Sequence, residues 1–283
     1  MNKGLSLRSL LGSTALPRNE AHILMAHVLD KYYQLPRSAI ISRDELELHA
    51  LAIENWYSLE SKRLSGEPVA YLIGKRDFHN IELTVAPGVL IPRPETELLV
   101  DIALQEIKCI ENLEGCLRIL DLGTGSGAIA LAIAHELSNV QVIAADQSST
   151  ALEIAKANAK KLGLDSRVKF LQGDWYHALD SVDFFDVILS NPPYIADQDP
   201  HLAQGDLRYE PISALTDHAD GLSCLQAIIR GASSHLNPKG LIAVEHGFDQ
   251  SEAVADIAKF AEFTDIHIHQ DLAGHNRVIS ARK

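Results

Sequence analysis

The sequence predicts an α/β fold: a doubly wound, mostly parallel seven-stranded sheet with an antiparallel edge, preceded by a small helical domain and a β-hairpin. Three observations predict it. From residue 117 onward, short apolar runs alternate with helical stretches, the pattern of strands buried on both faces between helices. Residues 1 to about 75 carry helical apolar spacing instead. The last two strand-like segments stand too close together for a helical crossover, so they pair antiparallel. The chain of 283 residues suits two domains. They are expected as a helical domain over 1–75, a hairpin linker over 76–94 and the larger α/β domain over 95–283.

The first helix is read from Glu20 to Leu29, with Ile23, Leu24, His27 and Val28 on one face and Pro36 ending the element. Ser42-Arg43-Asp44-Glu45 is expected to open the next, through Leu46, Ala50 and Ile53 to Trp56, Leu59 and Leu64, with Gly66-Glu67-Pro68 as the stop. His22, His27 and His49 stand at helical positions without partners at metal-ligand spacing, so they read as packed or surface histidines. Val69 to Gly74 and Ile81 to Val85 have strand composition and are expected as the two arms of the hairpin. Pro87-Gly88 and Pro92-Arg93-Pro94 then punctuate the chain, and Glu95 to Ile107 returns to helix. Strands are expected at 117–121, 140–146, 168–172, 185–190, 241–246, 265–269 and 276–281, with a helix from Ala151 closed by Gly163 as its C-cap.

Composition narrows the function classes. The chain is 46% hydrophobic and 22% charged, enough for a full core. Its formal net charge of −13 argues against a long nucleic-acid partner, because gripping phosphates normally needs a basic face. The odd set of Cys109, Cys116 and Cys224 lacks a C-x-x-C pair, so neither a disulfide framework nor a structural zinc site is expected, and no other metal site is expected. No long apolar window and no leader-like N-terminus is present. A soluble, cytoplasmic protein is the expectation.

The chemistry lies at strand ends. Gly123-Thr124-Gly125-Ser126-Gly127 joins the first strand of the sheet to a helix, where glycines allow a sharp turn and close approach to a ligand. Its spacing is neither that of a dinucleotide fingerprint nor that of a P-loop. The second strand ends at Asp146, placed either to accept both hydroxyls of a ribose or to cap the following helix. The third ends in Gln172-Gly173-Asp174-Trp175. Asp174 can meet an adenine amino group while the Trp175 indole covers the base, or the pair can be a turn acid beside a core ring. The fourth ends in Asn191-Pro192-Pro193-Tyr194. Two prolines stiffen this loop, which is either a rigid turn or a grip for a small planar group. All four groups fall on the carboxyl rim, where open α/β sheets bind ligands.

Taken together, Asp121 to Gly127, an acid ending the second strand, Asp174 after the third and Asn-Pro-Pro-Tyr after the fourth resemble the class I S-adenosylmethionine-dependent methyltransferases. Leu90 to Glu97, the Asp199-to-Pro211 stretch and Glu245-His246-Gly247 resemble the HemK-like protein glutamine methyltransferases, over nearly the whole chain. The closest branch is the one that modifies the Gly-Gly-Gln glutamine of peptide chain release factors. Ser126 departs from the Thr that is frequent there. The resemblance implies S-adenosyl-L-methionine as cofactor, bound by Gly123, Thr124, Gly125, Ser126, Gly127, Asp146, Asp174, Trp175 and Asn191. It implies methyl transfer to the N5 nitrogen of that glutamine, held by Asn191, Pro192, Pro193 and Tyr194, with Asn191, Pro192 and Tyr194 carrying catalysis. Release factors are then the expected partners, recognised partly by the helical domain, with no membrane and no direct nucleic-acid contact. Glu95 and Thr96 either close over the cofactor or start a helix. Glu245 and His246 are structural or functional, and Arg208 and Glu210 are loop ion-pair partners or substrate contacts. Rival readings are a ribosomal-protein glutamine methyltransferase, a nucleic-acid amino methyltransferase and a non-catalytic cofactor-binding scaffold.

Overall fold

The structure is a computed structural model that describes residues 5–109, 116–180 and 183–283. It divides into two compact units, Met1–Lys75 and Arg76–Lys283.

The first unit holds α1 (Leu7–Ser13), α2 (Arg18–Tyr33), α3 (Ala39–Ser42), α4 (Ala50–Leu64) and α5 (Val69–Ile73). Its core gathers Leu7, Leu10, Leu24, Met25, Val28, Leu29, Trp56 and Leu59, all buried. Ile23 and His27 sit at the edge of the α2 face rather than at its centre. Two local expectations are corrected here. Ser42 to Glu45 does not open α4. The backbone of residues 44–48 is engaged by the start of the chain, with Arg8 N–H donating to Asp44 and Leu7 N–H to Leu46. The helix therefore starts at Ala50, capped by His49, whose Nδ1 accepts from Ala52 N–H at 3.2 Å. The second correction concerns Val69 to Ile73, which is helical rather than the first hairpin arm. Val69, Leu72 and Ile73 stand at i, i+3 and i+4 and pack together on the apolar cluster, which only a helical turn allows. Gly74 at φ +73° closes that turn.

In the second unit the hairpin is β1 (Lys75–Phe78, its first residue closing the first unit) and β2 (Ile81–Thr84). A short 3₁₀ turn, Pro94–Thr96, runs into α6 (Glu97–Cys109). There follow β3 (Leu117–Leu122), α7 (Ala128–Glu136), β4 (Val140–Asp146), α8 (Ser149–Leu162), β5 (Val168–Gln172), β6 (Phe185–Ser190), α9 (Ser223–His235), β7 (Leu236–Glu245), α10 (Ser251–Phe260), β8 (Thr264–Gln270) and β9 (Asn276–Arg282). Seven strands form one sheet in the order β5-β4-β3-β6-β7-β9-β8. β3 to β7 are parallel, and β9 inserts antiparallel between β7 and β8. β7 begins five residues before the expected start because Leu236 pairs with Phe185 ahead of a register shift. One core cluster lies on each face of the sheet. The hairpin is stitched to the sheet by buried Asn158 of α8. Its Oδ1 accepts from Thr84 N–H at 2.8 Å, and its Nδ2 donates to the carbonyls of Thr84 and Ser126 at 3.0 Å each. The expected linker 76–94 thus lies within the second unit. Cys116 and Cys224 are free thiols, and the side chain of Cys109 lies outside the described residues. No helix among the described residues is long and apolar enough to cross a membrane.

Candidate active site

The strand order reverses at β3, with β4 on one side and β6 on the other, so the crevice at the carboxyl ends of these strands is the natural ligand position. A cavity of about 300 Å³ lies there. Gly123, Gly125, Asp146, Asp174, Trp175, Asn191 and Pro193 line it, brought in from β3, β4, β5 and β6. Gly125, at φ +56°, has nothing within 4 Å of where a Cβ would stand, so the loop leaves room for a ligand against its backbone. Trp175 lies over Gly123, its ring 3.4 Å from where that residue's Cβ would be. It is held at φ +43°, a conformation that costs a non-glycine residue roughly 1–2 kcal/mol and that clusters at ligand sites.

Asp146 is not a helix cap. Ser148 caps α8, while the Asp146 carboxylate accepts from Gly125 N–H through Oδ2 and from Ser148 N–H through Oδ1, both at 2.8 Å. Each oxygen keeps a lone pair for a ligand hydroxyl. Burial raises its pKa, opposed by those two hydrogen bonds. A paired-acceptor carboxylate, an indole face, a second acid at Asp174 and an open glycine backbone fit a nucleoside ligand with a ribose diol and an adenine amino group, which are parts of S-adenosylmethionine.

Three of the residues expected to touch the cofactor lie beneath the cavity rather than along it. The Thr124 hydroxyl donates to Asp121 Oδ2 at 2.6 Å. Ser126 is buried and lends its carbonyl to Asn158. Gly127, at φ +87°, starts α7 where a Cβ would come within 2.9 Å of Leu131. They shape the turn; Gly123 and Gly125 form its exposed edge. Asp121 is fully buried, accepts also from Ala130 N–H, and has its pKa pushed up to about 7 by burial.

Asn191 stands at a junction. It lines the 300 Å³ cavity and also a small chamber of about 70 Å³, whose walls include Pro192, Tyr194 and Arg93. Tyr194 and Arg93 in turn face an open groove of about 640 Å³ together with Glu95, His201, Glu245 and Arg277. The Asn191 Nδ2 donates to Thr96 Oγ1 at 2.9 Å, which leaves Oδ1 as the free end of the amide. The Tyr194 hydroxyl donates to Glu245 Oε1 at 3.0 Å. Burial and the adjacent carboxylate together raise the phenol well above its usual range.

Glu95 and Thr96 do start the 3₁₀ turn into α6, but Thr96 also touches the tetrapeptide. Glu210 pairs with Arg93 and accepts from Ile91 N–H at 2.9 Å, its side chain fully buried. Of the two sequence readings of Glu210, the ion-pair one is what the structure shows, but its partner in this latch, Arg93, was not foreseen, nor were Gly88, Val89, Leu90 and Ala214 as cavity wall. The signal available was Pro87-Gly88: Gly88 sits at φ +108°, where a Cβ would come within 3.1 Å of the Thr150 methyl.

Comparison with known proteins places this geometry. Residues 113–275 match the methyltransferase domain family, and residues 6–74 match the PrmC N-terminal domain. A release factor glutamine methyltransferase of Bordetella pertussis is 46% identical over 272 residues, covering 96% of this chain and 97% of that one. One from Aliivibrio fischeri is 40% identical, with 98% and 94% covered. Among solved structures, a methyltransferase from Pyrococcus furiosus superposes with a TM-score of 0.54 at 17% identity, covering 80% of this chain and 98% of that one. A Thermus thermophilus 16S rRNA methyltransferase in complex with AdoMet and guanosine gives 0.54 at 21% identity, with 74% and 49% covered. The structural likenesses speak for the fold alone. Near-full-length identity on top of a rim of acids, glycines and Asn-Pro-Pro-Tyr goes further: the chain belongs to the release factor glutamine methyltransferase family.

Proposed function

We propose that this chain transfers a methyl group from S-adenosyl-L-methionine to the side-chain N5 of the glutamine in the Gly-Gly-Gln motif of peptide chain release factors. The observation that carries the reading is the position and orientation of Asn191. It is shared by the nucleoside-sized cavity and the small chamber, with its amide nitrogen committed to Thr96 and its oxygen left to accept.

S-adenosyl-L-methionine, when bound, supplies a methyl group made electrophilic by its sulfonium charge. The residues of the chain do the rest. A carboxamide nitrogen is a poor nucleophile because its lone pair is delocalised. Asn191 Oδ1 and the Pro192 carbonyl accept its two N–H bonds and aim the nitrogen across the junction, while the Tyr194 ring packs on the planar amide. Both acceptors favour the positive charge that develops on the nitrogen. Pro192 and Pro193 keep the loop stiff, so little freedom is lost on binding. The product proton leaves after transfer, and no dedicated base is assigned. Asp146 holds the ribose, and Asp174 with Trp175 holds the base. The first unit takes part in recognising the release factor, since a protein substrate needs about 800 Å² of surface from each partner, beyond one glutamine.

The test is tritium transfer from labelled cofactor to release factor, ribosomal protein and RNA side by side. Label on the release factor that disappears when its Gly-Gly-Gln glutamine is changed supports the reading, and label only on another substrate rejects it. Asn191→Ala should lose on the order of 100-fold in kcat while cofactor affinity by calorimetry stays within about twofold.

A further inference from the structure

Two facts about the tetrapeptide converge on one buried carboxylate. The parallel register sets Ser190 of β6 opposite Val244 of β7, so Asn191 and Glu245 leave the sheet side by side. Glu245 is 1% exposed. Its Oε1 accepts from the Tyr194 hydroxyl at 3.0 Å, and the Thr96 side chain beside it favours the same carboxylate's ionised form. Thr96 is 4% exposed and already accepts from Asn191 Nδ2. Its hydroxyl has one hydrogen, and with Asn191 donating to its oxygen, the neighbouring Glu245 carboxylate, whose ionised form Thr96 favours, is the acceptor placed for that hydrogen. Asn191 and Tyr194, the first and last residues of the loop, are thus tied to the same group, Asn191 through Thr96 and Tyr194 directly. Glu245 Oε2 has no hydrogen-bond partner in the structure.

We propose that Glu245, as a carboxylate, is a positioning residue: through Thr96 it fixes which end of the Asn191 amide faces the substrate, it anchors the Tyr194 ring, and its ionisation controls turnover. The proposal rests on the reading that Asn191 holds the substrate amide.

A carboxylate only accepts. Opposite it, Thr96 must donate, and its lone pairs then face Asn191 Nδ2, which leaves Asn191 Oδ1 for the substrate. A protonated Glu245 carries a hydrogen of its own and can donate to Thr96. The Thr96 hydrogen is then released from Glu245 and can be donated to Asn191 Oδ1 instead, which turns the Asn191 NH₂ toward the N–H groups it should receive. The charged groups around Glu245 are Arg277 from β9, Glu95 from the 3₁₀ turn, and Arg93 beyond Tyr194, with His201 and Asp206 along the same groove. His246, the next residue, hydrogen-bonds the Gly247 carbonyl. Burial raises Glu245 to about 7; Thr96, Tyr194 and Arg277 pull it down, and Glu95 pushes it up. Turnover should therefore rise with pH through the neutral range and level off above it.

The test uses the full-length protein, labelled S-adenosyl-L-methionine and intact release factor, with kcat and KM measured from pH 5.5 to 8.5. Glu245→Gln should lower kcat by about tenfold or more, the loss expected when a reacting group is misaimed. Its cofactor affinity should stay within about twofold, and the rise near neutrality should vanish. Thr96→Val should behave in the same way, whereas Thr96→Ser should keep both the rate and the pH profile. Wild-type kcat with an unchanged pH profile in Glu245→Gln, or an active Thr96→Val, overturns the proposal. If Glu245→Gln does not fold, judged by its melt and by cofactor binding, Thr96→Val and Tyr194→Phe decide, since neither empties a buried charge site. Asn191→Ala is run alongside. If it is inactive while the Thr96 and Glu245 variants are normal, only this proposal fails. If it is active, the underlying reading fails.

Discussion

The glycines of the rim loop look alike in sequence and separate in the structure. Gly125 faces open space and Gly127 faces Leu131 and Ala155, although both have positive φ. Gly125→Ala should cost roughly 1–2 kcal/mol from backbone conformation alone and should weaken cofactor binding markedly, because the new methyl enters the cavity. Gly127→Ala adds a clash to the same strain and should be the more destabilising by roughly 1–3 kcal/mol. Paired melting curves and calorimetry distinguish the two. Asp146→Ala removes an acceptor that already orders Gly125 and Ser148, so cofactor affinity should fall by about tenfold to a hundredfold, as for loss of one charged hydrogen bond at about 1.5–3 kcal/mol. Asp121 supplies a pH signature. Its folded-state pKa is raised to about 7, so the stability it contributes is present at low pH and is lost as pH rises toward that value. Asp121→Asn has no such loss. The stability difference between wild type and this variant should shift in the variant's favour between pH 5 and 7, by about 1.4 kcal/mol per pH unit at most, and stay constant above. Histidines lowered by burial, such as His246 and His269, act oppositely in the acid part of this window, which is why the difference and not the raw melting temperature is the measurement.

The 3₁₀-rich stretch from Asp199 to Thr216 supplies Pro211, Ser213 and Ala214 to the cavity wall. Its anchor is Glu210, whose carboxylate pairs with Arg93 and accepts from Ile91 N–H. Arg93→Ala leaves that fully buried acid without its cation, and breaking such a pair typically costs about 3–5 kcal/mol. Faster amide exchange in residues 199–216, with α7 and β3 unchanged, is the expected outcome; uniform exchange would mean the latch is not local. This stretch also marks where the sequence stopped being legible. The parallel strands were readable because burial on both faces demands continuous apolar runs, and Asp146, Asp174 and Asn191 were readable because strand ends on one rim must converge. The latch joins residues 117 positions apart, and no periodicity encodes that. The bond between Thr96 and Asn191 was hidden for a related reason: in sequence Thr96 reads as a helix start or a cofactor contact, and its bond to Asn191 exists only because β6 ends beside it. Val69 to Ile73 misled through composition. Its β-branched residues were outweighed by the shared face that a single helical turn gives Val69, Leu72 and Ile73. The expected opening of α4 failed because residues 44–48 find their backbone partners in residues 5–8, far away in sequence.

Each of the two units has its own apolar core: Leu7 to Leu59 in the first, the two faces of the sheet in the second. Every residue assigned to cofactor or amide lies in Arg76–Lys283. The acidic balance of the chain makes long-range attraction to phosphate a poor source of affinity. If the first unit supplies part of the contact with the release factor, removing it should split two activities that the whole chain performs together. A fragment of residues 76–283 should bind cofactor within about twofold of the full chain, because the cavity walls are intact. It should methylate a short peptide carrying Gly-Gly-Gln at a comparable kcat/KM, since such a peptide engages little beyond the tetrapeptide and the adjoining groove. On intact release factor its kcat/KM should fall by about tenfold or more, tenfold corresponding to about 1.4 kcal/mol of lost contact, and the loss should appear in KM rather than kcat. Equal loss on peptide and protein would instead mean that the first unit stabilises the site, and no loss on either would leave recognition wholly within the sheet domain.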